Sequence, residues 1–276
     1  NVKIDNQLSR SSLTDCLTAA SRRASEGLRT LSETIQTIDP SLASRLESIR
    51  YACYTLGKDI TLAASARSKM GAVRLYVIIT SSLPSDIIRL TQQCCRGGAN
   101  CLQLRAKQIP DDQLLAIATE FAGICREHGV VSIINDRVDI AAICGADGIH
   151  LGQNDLPTSA ARRLQLSPLI IGKSTHNVKQ LQAAIDERAD YVGLGPVFPT
   201  QTKPGIEIAG FDYLKQAVPL LGESSTPAVA VGGITLDNIE KVRAAGINAV
   251  AVSSAIINAR EPQSACKAFV SKLLEQ

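Results

Sequence analysis

Two acidic residues stand out in the stretch IINDRVDIA…GADGIHLGQND: Asp136 and Asp155, each just past a short apolar run that reads as a strand. Carboxylates at the ends of neighbouring parallel strands supply hard oxygen ligands. With no cysteine or His-x-x-His pair beside them, that donor set favours Mg2+ over zinc. Taken singly, each aspartate is an ordinary structural residue. Asp136 pairs with Arg137 or caps the next helix, and Asp155 caps a helix beginning after Pro157. Their place on consecutive strand ends moves the reading toward a shared metal.

Cationic, amide and hydroxyl residues follow other strand-like runs. QLRAK holds Gln103, Arg105 and Lys107, and the two cations, two residues apart in extended chain, are expected on one face, where they offset the charge of a diphosphate. Asn135 precedes Asp136, Gln153 precedes Asp155, and Ser174 ends LIIGKST. TQTK contributes Thr200, Thr202 and Lys203; VGGI contributes Gly232 and Gly233; VSSAI contributes Ser253 and Ser254. Glycines that let backbone N–H groups approach, flanked by serine hydroxyls, suit a phosphate. Acid/base residues are scarce by comparison. Of the three histidines, His150 reads as a packed strand residue, His176 as a binding residue at the rim, and none lies beside a nucleophile. The eight cysteines form no CxxC and read as reduced core or helix residues.

The elements that position these residues are legible from periodicity. Residues 12–64 carry apolar positions at helical spacing, broken at Asp39-Pro40, and form a small all-α N-terminal domain over 1–64. The small, basic SARSKMGAV, residues 65–73, reads as a linker. From Arg74 the texture changes to short β-branched runs alternating with amphipathic helices: RLYVIIT, NCLQLRA, VVSIIND, GIHLG, LIIGKST, YVGLG, PAVAVGG and AVAVSSA. Eight such units over 74–276 predict a (β/α)8 TIM barrel, with an open doubly wound sheet as the alternative. In a barrel the residues after the strands converge on the C-terminal face, which makes the scattered cations, carboxylates and hydroxyls neighbours.

Composition narrows the partners. The chain has 276 residues, 45% hydrophobic and 20% charged, with a formal net charge of +3 and no long basic run, so neither nucleic acid nor a membrane surface is expected as a partner. No apolar run is long enough to span a membrane and the N-terminus lacks a signal-peptide core, so a cytoplasmic location is expected. The first residue, Asn1, is not methionine, and residues upstream of it are expected.

Taken in order, QLRAK, INDRVDIA, GADGIHLGQNDLP, ADYVGLGPVFPTQTK, AVGGI and VSSAI resemble the thiamine-phosphate synthase family from about Arg74 onward. The resemblance implies a transferase that joins hydroxymethylpyrimidine diphosphate to thiazole phosphate and releases pyrophosphate. It implies Mg2+ on Asp136 and Asp155, and Arg105, Lys107, Asn135, Ser174 and Lys203 on the diphosphate. Gln103 would meet the pyrimidine, and Thr200, Thr202, Gly233, Ser253 and Ser254 the thiazole phosphate. Ala106 departs from the glutamate usual in QLREK, which removes any contact made by that carboxylate. The segment from Arg22 to Arg29 resembles an RxxEGLR extension found on some of these synthases. Glu26 and Arg29 within it are expected to form an intrahelical ion pair, with docking onto the barrel as the second reading. Two other functions stand beside the synthase. One is a thiazole-phosphate isomerase on the same barrel, and the other a non-catalytic thiamine-phosphate sensor acting through the helical domain. Oligomeric state is left open.

Overall fold

A computed structural model describes residues 13–164, 169–200 and 207–275. The chain divides into two compact units, residues 1–65 and residues 66–276.

In the first unit, α1 (Leu13–Ile35) is followed by the beginning of α2 (Pro40–Gly71). Asp39 starts α2: its Oδ1 accepts the Leu42 N–H at 3.0 Å, and Pro40 at the first helical position gives up an N–H that would have had no partner. The two helices approach through small residues. Ser21 Oγ donates to the Cys53 carbonyl at 3.2 Å, and a Cβ on Gly57 would lie 2.1 Å from that hydroxyl. Arg29 pairs with Glu33, one turn further on, at 2.9 Å, rather than with Glu26. An i, i+4 spacing lets the two long side chains run parallel along the helix.

In the second unit eight parallel strands close into a barrel in sequence order. They are β1 (Leu75–Ile79), β2 (Cys101–Leu104), β3 (Val131–Asn135), β4 (Gly148–Leu151), β5 (Ile170–Thr175), β6 (Tyr191–Leu194), β7 (Ala228–Val231) and β8 (Val250–Val252). Closure is by β1 against β8, with Leu75 opposite Val250. The helices between strands are α3 (Pro84–Arg96), α4 (Asp111–Glu127), α5 (Val138–Cys144), α6 (Thr158–Arg163), α7 (Val178–Asp186), α8 (Gly210–Ser224) and α9 (Ile239–Ala244). The short α10 (Ser254–Ile257) and then α11 (Pro262–Leu274) follow β8. The TIM-barrel expectation and the eight strand assignments hold to within three residues at each end.

Strand alternation divides the apolar residues into two clusters. Leu75, Val77, Ile79, Leu102, Leu104, Ile149 and Ile171 face outward into a large core with the surrounding helices. Tyr76, Cys101, Ile133, Ile170, Tyr191, Val229 and Ala249 face inward and fill the barrel. Ala66, Met70 and Val73 belong to this inner cluster, so residues 65–71, expected as part of a linker, are instead the last turns of α2. The physical reason is visible in SARSKMG. It holds no helix breaker before Gly71, and Met70, 1% exposed, fills space inside the barrel. Lys69 adds an ion pair to Asp147 at 2.9 Å, and Asp147 also accepts the Ser132 N–H and hydroxyl at 3.0 and 2.9 Å.

Candidate active site

Above the inner cluster the inward-facing positions become polar. Gln103 on β2, Asn135 on β3, His150 on β4 and Ser174 on β5 line a cavity of about 350 Å3. Arg105, His176, Thr200, Gly232, Gly233, Ser253 and Ser254 complete the set of sequence-derived residues that line it. Residues from seven strands or the loops after them thus meet at one cavity, as barrel closure requires. Thr202 and Lys203 lie outside the described residues.

The cationic side is split. β2 ends at Leu104, so Arg105 and Lys107 lie in the loop beyond it rather than in the strand. Arg105 reaches the cavity, and its buried Nε has no hydrogen-bond partner among the described residues. A buried guanidinium N–H without an acceptor is costly, so this position suits an anion. Lys107 is half exposed and binds Asp136 Oδ2 at 2.7 Å. Ala106 between them is buried in the outer core, where a methyl group fits.

Neither aspartate caps a helix. Asp136 sits in the left-handed region at φ 61°, where aspartate is tolerated better than most residues, and its N–H donates to the His150 carbonyl at 2.9 Å. Arg137 turns away to Asp111 and Asp139. Asp155 Oδ2 accepts the Gly152 N–H at 2.7 Å, which folds the loop after β4 back on itself. Lys173, buried beside Ser174 on β5, holds the same loop by donating to the Gly152 carbonyl at 2.8 Å. Asp136 and Asp155 therefore leave adjacent strands, joined by the Asn135–His150 register. Among the described residues no group of three or more His, Cys, Asp or Glu side chains gathers as a metal cage. A pair of carboxylates still fits Mg2+, which keeps waters and takes oxygens from substrate phosphates. The Lys107 ammonium on Asp136 shows that this carboxylate draws a cation.

On the opposite side, Gly232 and Gly233 have φ of 103° and 62° after β7. A Cβ on Gly233 would lie 2.4 Å from the Pro199 carbonyl oxygen, so only glycine fits there. Asn238 fastens the turn: its Nδ2 donates to the Gly233 carbonyl and its Oδ1 accepts the Thr235 N–H, both at 2.9 Å. Ser253 Oγ donates to the Ile78 carbonyl of β1 at 2.8 Å, so its hydroxyl proton serves the barrel seam.

Sequence reasoning missed the floor. Tyr76 on β1 and Tyr191 on β6 sit beneath the cavity with hydroxyls 3.0 Å apart. Gln103 Nε2 donates to Tyr76 at 2.7 Å, and His150 bridges Tyr191 (2.9 Å, Nδ1) to Ser174 Oγ (2.8 Å, Nε2). Burial pushes both phenols well above their usual pKa. Strand glycines are the available signal: a Cβ on Gly172 would lie 2.1 Å from the Tyr191 ring, and one on Gly193 3.3 Å from His150. His176 also lines the cavity, with Nδ1 against the Gly195 carbonyl.

The sequence profile of the family described as thiamine monophosphate synthase matches residues 75–256, the whole barrel from the first strand to α10. The chain belongs to the thiamine monophosphate synthase family. A second profile, the ThiD2 family, matches residues 1–59. A thiamine-phosphate synthase of Thermosynechococcus vestitus is 38% identical over 268 residues, covering 96% of this chain and 74% of that protein. One from Rhodopirellula baltica is 37% identical, covering 92% of this chain and 70% of that protein. Among solved structures, a thiamine phosphate pyrophosphorylase from Pyrococcus furiosus superposes with a TM-score of 0.67 at 30% identity, over 74% of this chain and 96% of the other. Membership of this family explains the polar upper barrel, since the similarity runs through every strand that lines the cavity.

Proposed function

We propose that the chain is a thiamine-phosphate synthase, joining the pyrimidine methylene carbon of hydroxymethylpyrimidine diphosphate to the ring nitrogen of thiazole phosphate with release of pyrophosphate. The observation that carries this reading is the Arg105 Nε, buried at the cavity wall without an acceptor among the described residues, in a cavity also lined by a glycine and serine loop suited to a second phosphate. Two anionic substrates held in one cavity is the arrangement the reaction needs. A thiazole-phosphate isomerase would have no use for Arg105 or for the Lys107–Asp136 pair.

The reading is dissociative. Carbon–oxygen bond cleavage sends the electron pair to the diphosphate, the aminopyrimidine ring stabilises the methylene cation, and the thiazole nitrogen captures it. That nitrogen carries no proton, so no general base is required, in keeping with a site whose histidines are held in hydrogen bonds. Arg105, Lys107, Asn135, Ser174 and Lys203 would bind the diphosphate and favour its departure. Gln103 would orient the pyrimidine, while Thr200, Thr202, Gly233, Ser253 and Ser254 would hold the thiazole phosphate, with Ser253 offering its backbone rather than its committed hydroxyl. Asp136 and Asp155 would hold Mg2+, which when bound supplies positive charge to the leaving group.

A cytoplasmic location accompanies this reading. It is supported by eight free cysteines, which suit a reducing compartment. Among the described residues no helix is long and apolar enough to cross a membrane.

The direct test supplies both substrates to the purified chain and measures thiamine phosphate and pyrophosphate together. Equimolar formation of the two supports the synthase; conversion of thiazole phosphate alone, or ligand binding without turnover, overturns it.

A further inference from the structure

The floor of the cavity is a continuous hydrogen-bonded chain running Gln103, Tyr76, Tyr191, His150, Ser174 across five strands. Its protons can be counted. The Gln103 amide nitrogen carries only donors, so Tyr76 Oη accepts from it. Tyr76 has one proton, and the Tyr191 oxygen, 3.0 Å away, is a stronger acceptor for it than the neighbouring Cys101 sulfur. Tyr191 then has one proton to give, and its neighbour is His150 Nδ1. A ring nitrogen that accepts carries no hydrogen, so in the neutral imidazole the proton sits on Nε2 and is donated to Ser174 Oγ. The Ser174 hydroxyl proton is left over, on an atom at the cavity wall.

We propose that Tyr76, Tyr191 and His150 are positioning residues that align these protons in one direction, so that Ser174 donates its hydroxyl into the cavity while Gln103 Oε1 accepts from the ligand. The assignment of what is donated to, a leaving diphosphate, rests on the synthase reading; the direction of the chain does not. Three features hold the direction. The tyrosines are within 2% of full burial, so their hydroxyls have no water to turn to. Burial favours the protonated form of both phenols, so each hydroxyl keeps its proton to donate. The Tyr191 ring fills space that Gly172 leaves open and the His150 ring lies against Gly193, which holds both rings in place. Aligned hydrogen bonds strengthen one another, so an acceptor-side contact at Gln103 makes Ser174 a better donor across the cavity. Recognition of a substrate amino group and stabilisation of a departing anion become one event.

The test combines a spectroscopic and a kinetic readout. With only three histidines in the chain, the His150 signals in nitrogen-15 spectra of the ligand-free protein can be assigned by comparison with His150→Asn. The expected result is the Nε2–H tautomer in the wild type, with the Nδ1 signal shifted in Tyr191→Phe, where it loses its donor, and the tautomer ratio moved toward Nδ1–H in Tyr76→Phe, where Tyr191 loses the donor that orients its hydroxyl. In the complete reaction, Tyr191→Phe and Ser174→Ala each lower kcat about ten-fold or more with KM changed by less than about three-fold, and the double variant is no slower than the slower single. A wild-type His150 protonated on Nδ1 or on both nitrogens overturns the proposal, as does a double variant whose losses multiply. An inactive wild type showing the Nε2–H tautomer overturns the synthase reading and leaves the direction of the chain supported.

Discussion

The two ends of the barrel interior are built from the same strands and do opposite things. At the N-terminal end Cys101, Ile133, Ile170 and Ala249 share an apolar cluster with Met70 and Val73, and the nearby Asp147 carboxylate accepts the Ser132 N–H and hydroxyl. Further along the same strands, Gln103, two residues past Cys101, Asn135, two past Ile133, and Ser174, four past Ile170, line the cavity instead. One or two periods of strand alternation therefore separate residues that hold the barrel shut from residues that face a ligand. Stability and function are layered along each strand, and substitutions in the two layers should separate cleanly.

The largest expected effect is at the functional end. Asp136→Asn keeps a residue tolerant of φ 61° while removing the charge. It should cut thiamine phosphate formation about 100-fold or more with an unchanged thermal midpoint. A matching loss of stability would mean that Asp136 serves the fold. At the closed end, Met70→Ala empties a fully buried site and should cost about 2–5 kcal/mol in denaturant unfolding, with kcat within about two-fold of wild type. Gly172→Ala tests the boundary between the layers. Its methyl group would lie 2.1 Å from the Tyr191 ring, so a destabilisation of about 1–3 kcal/mol together with a fall in activity is expected.

The smallest effect concerns pH. Asp147 is desolvated, which raises its pKa, but the Ser132 N–H and hydroxyl and the Lys69 ammonium outweigh this and hold the carboxyl below 3.8. The unfolded chain then takes up the proton more readily. The contribution is present above pH 3.8 and lost as pH falls through the lower folded value. Asp147→Asn should flatten that part of the acid-unfolding curve while leaving the activity at neutral pH unchanged.

The same layering accounts for what was legible in the sequence. The strands were readable because β-branched runs are bounded by Gly, Asn and Asp, and the count of eight made closure economical. The end of α2 was not, because SARSKMG is small and basic like a linker, and only the barrel interior explains why Met70 is buried. Arg105 and Lys107 were expected on one face, but β2 stops at Leu104 and spacing carries no information past a strand end. Asp136 and Asp155 were identified, yet their partners Lys107 and Gly152 depend on loop geometry. Tyr76 and Tyr191 read as ordinary strand residues. Their contact joins β1 to β6 across the barrel, 115 residues apart in sequence.

The central claim is that the polar end of the barrel binds a diphosphate through two strand-end carboxylates and a metal. It is tested most directly by the initial rate of thiamine phosphate formation as Mg2+ is titrated into chelator-treated protein. A rate that rises from near zero and saturates in the wild type, and stays near zero in Asp136→Asn, is the predicted result. Full turnover without Mg2+, or an Asp136→Asn titration that overlays the wild type, would contradict it.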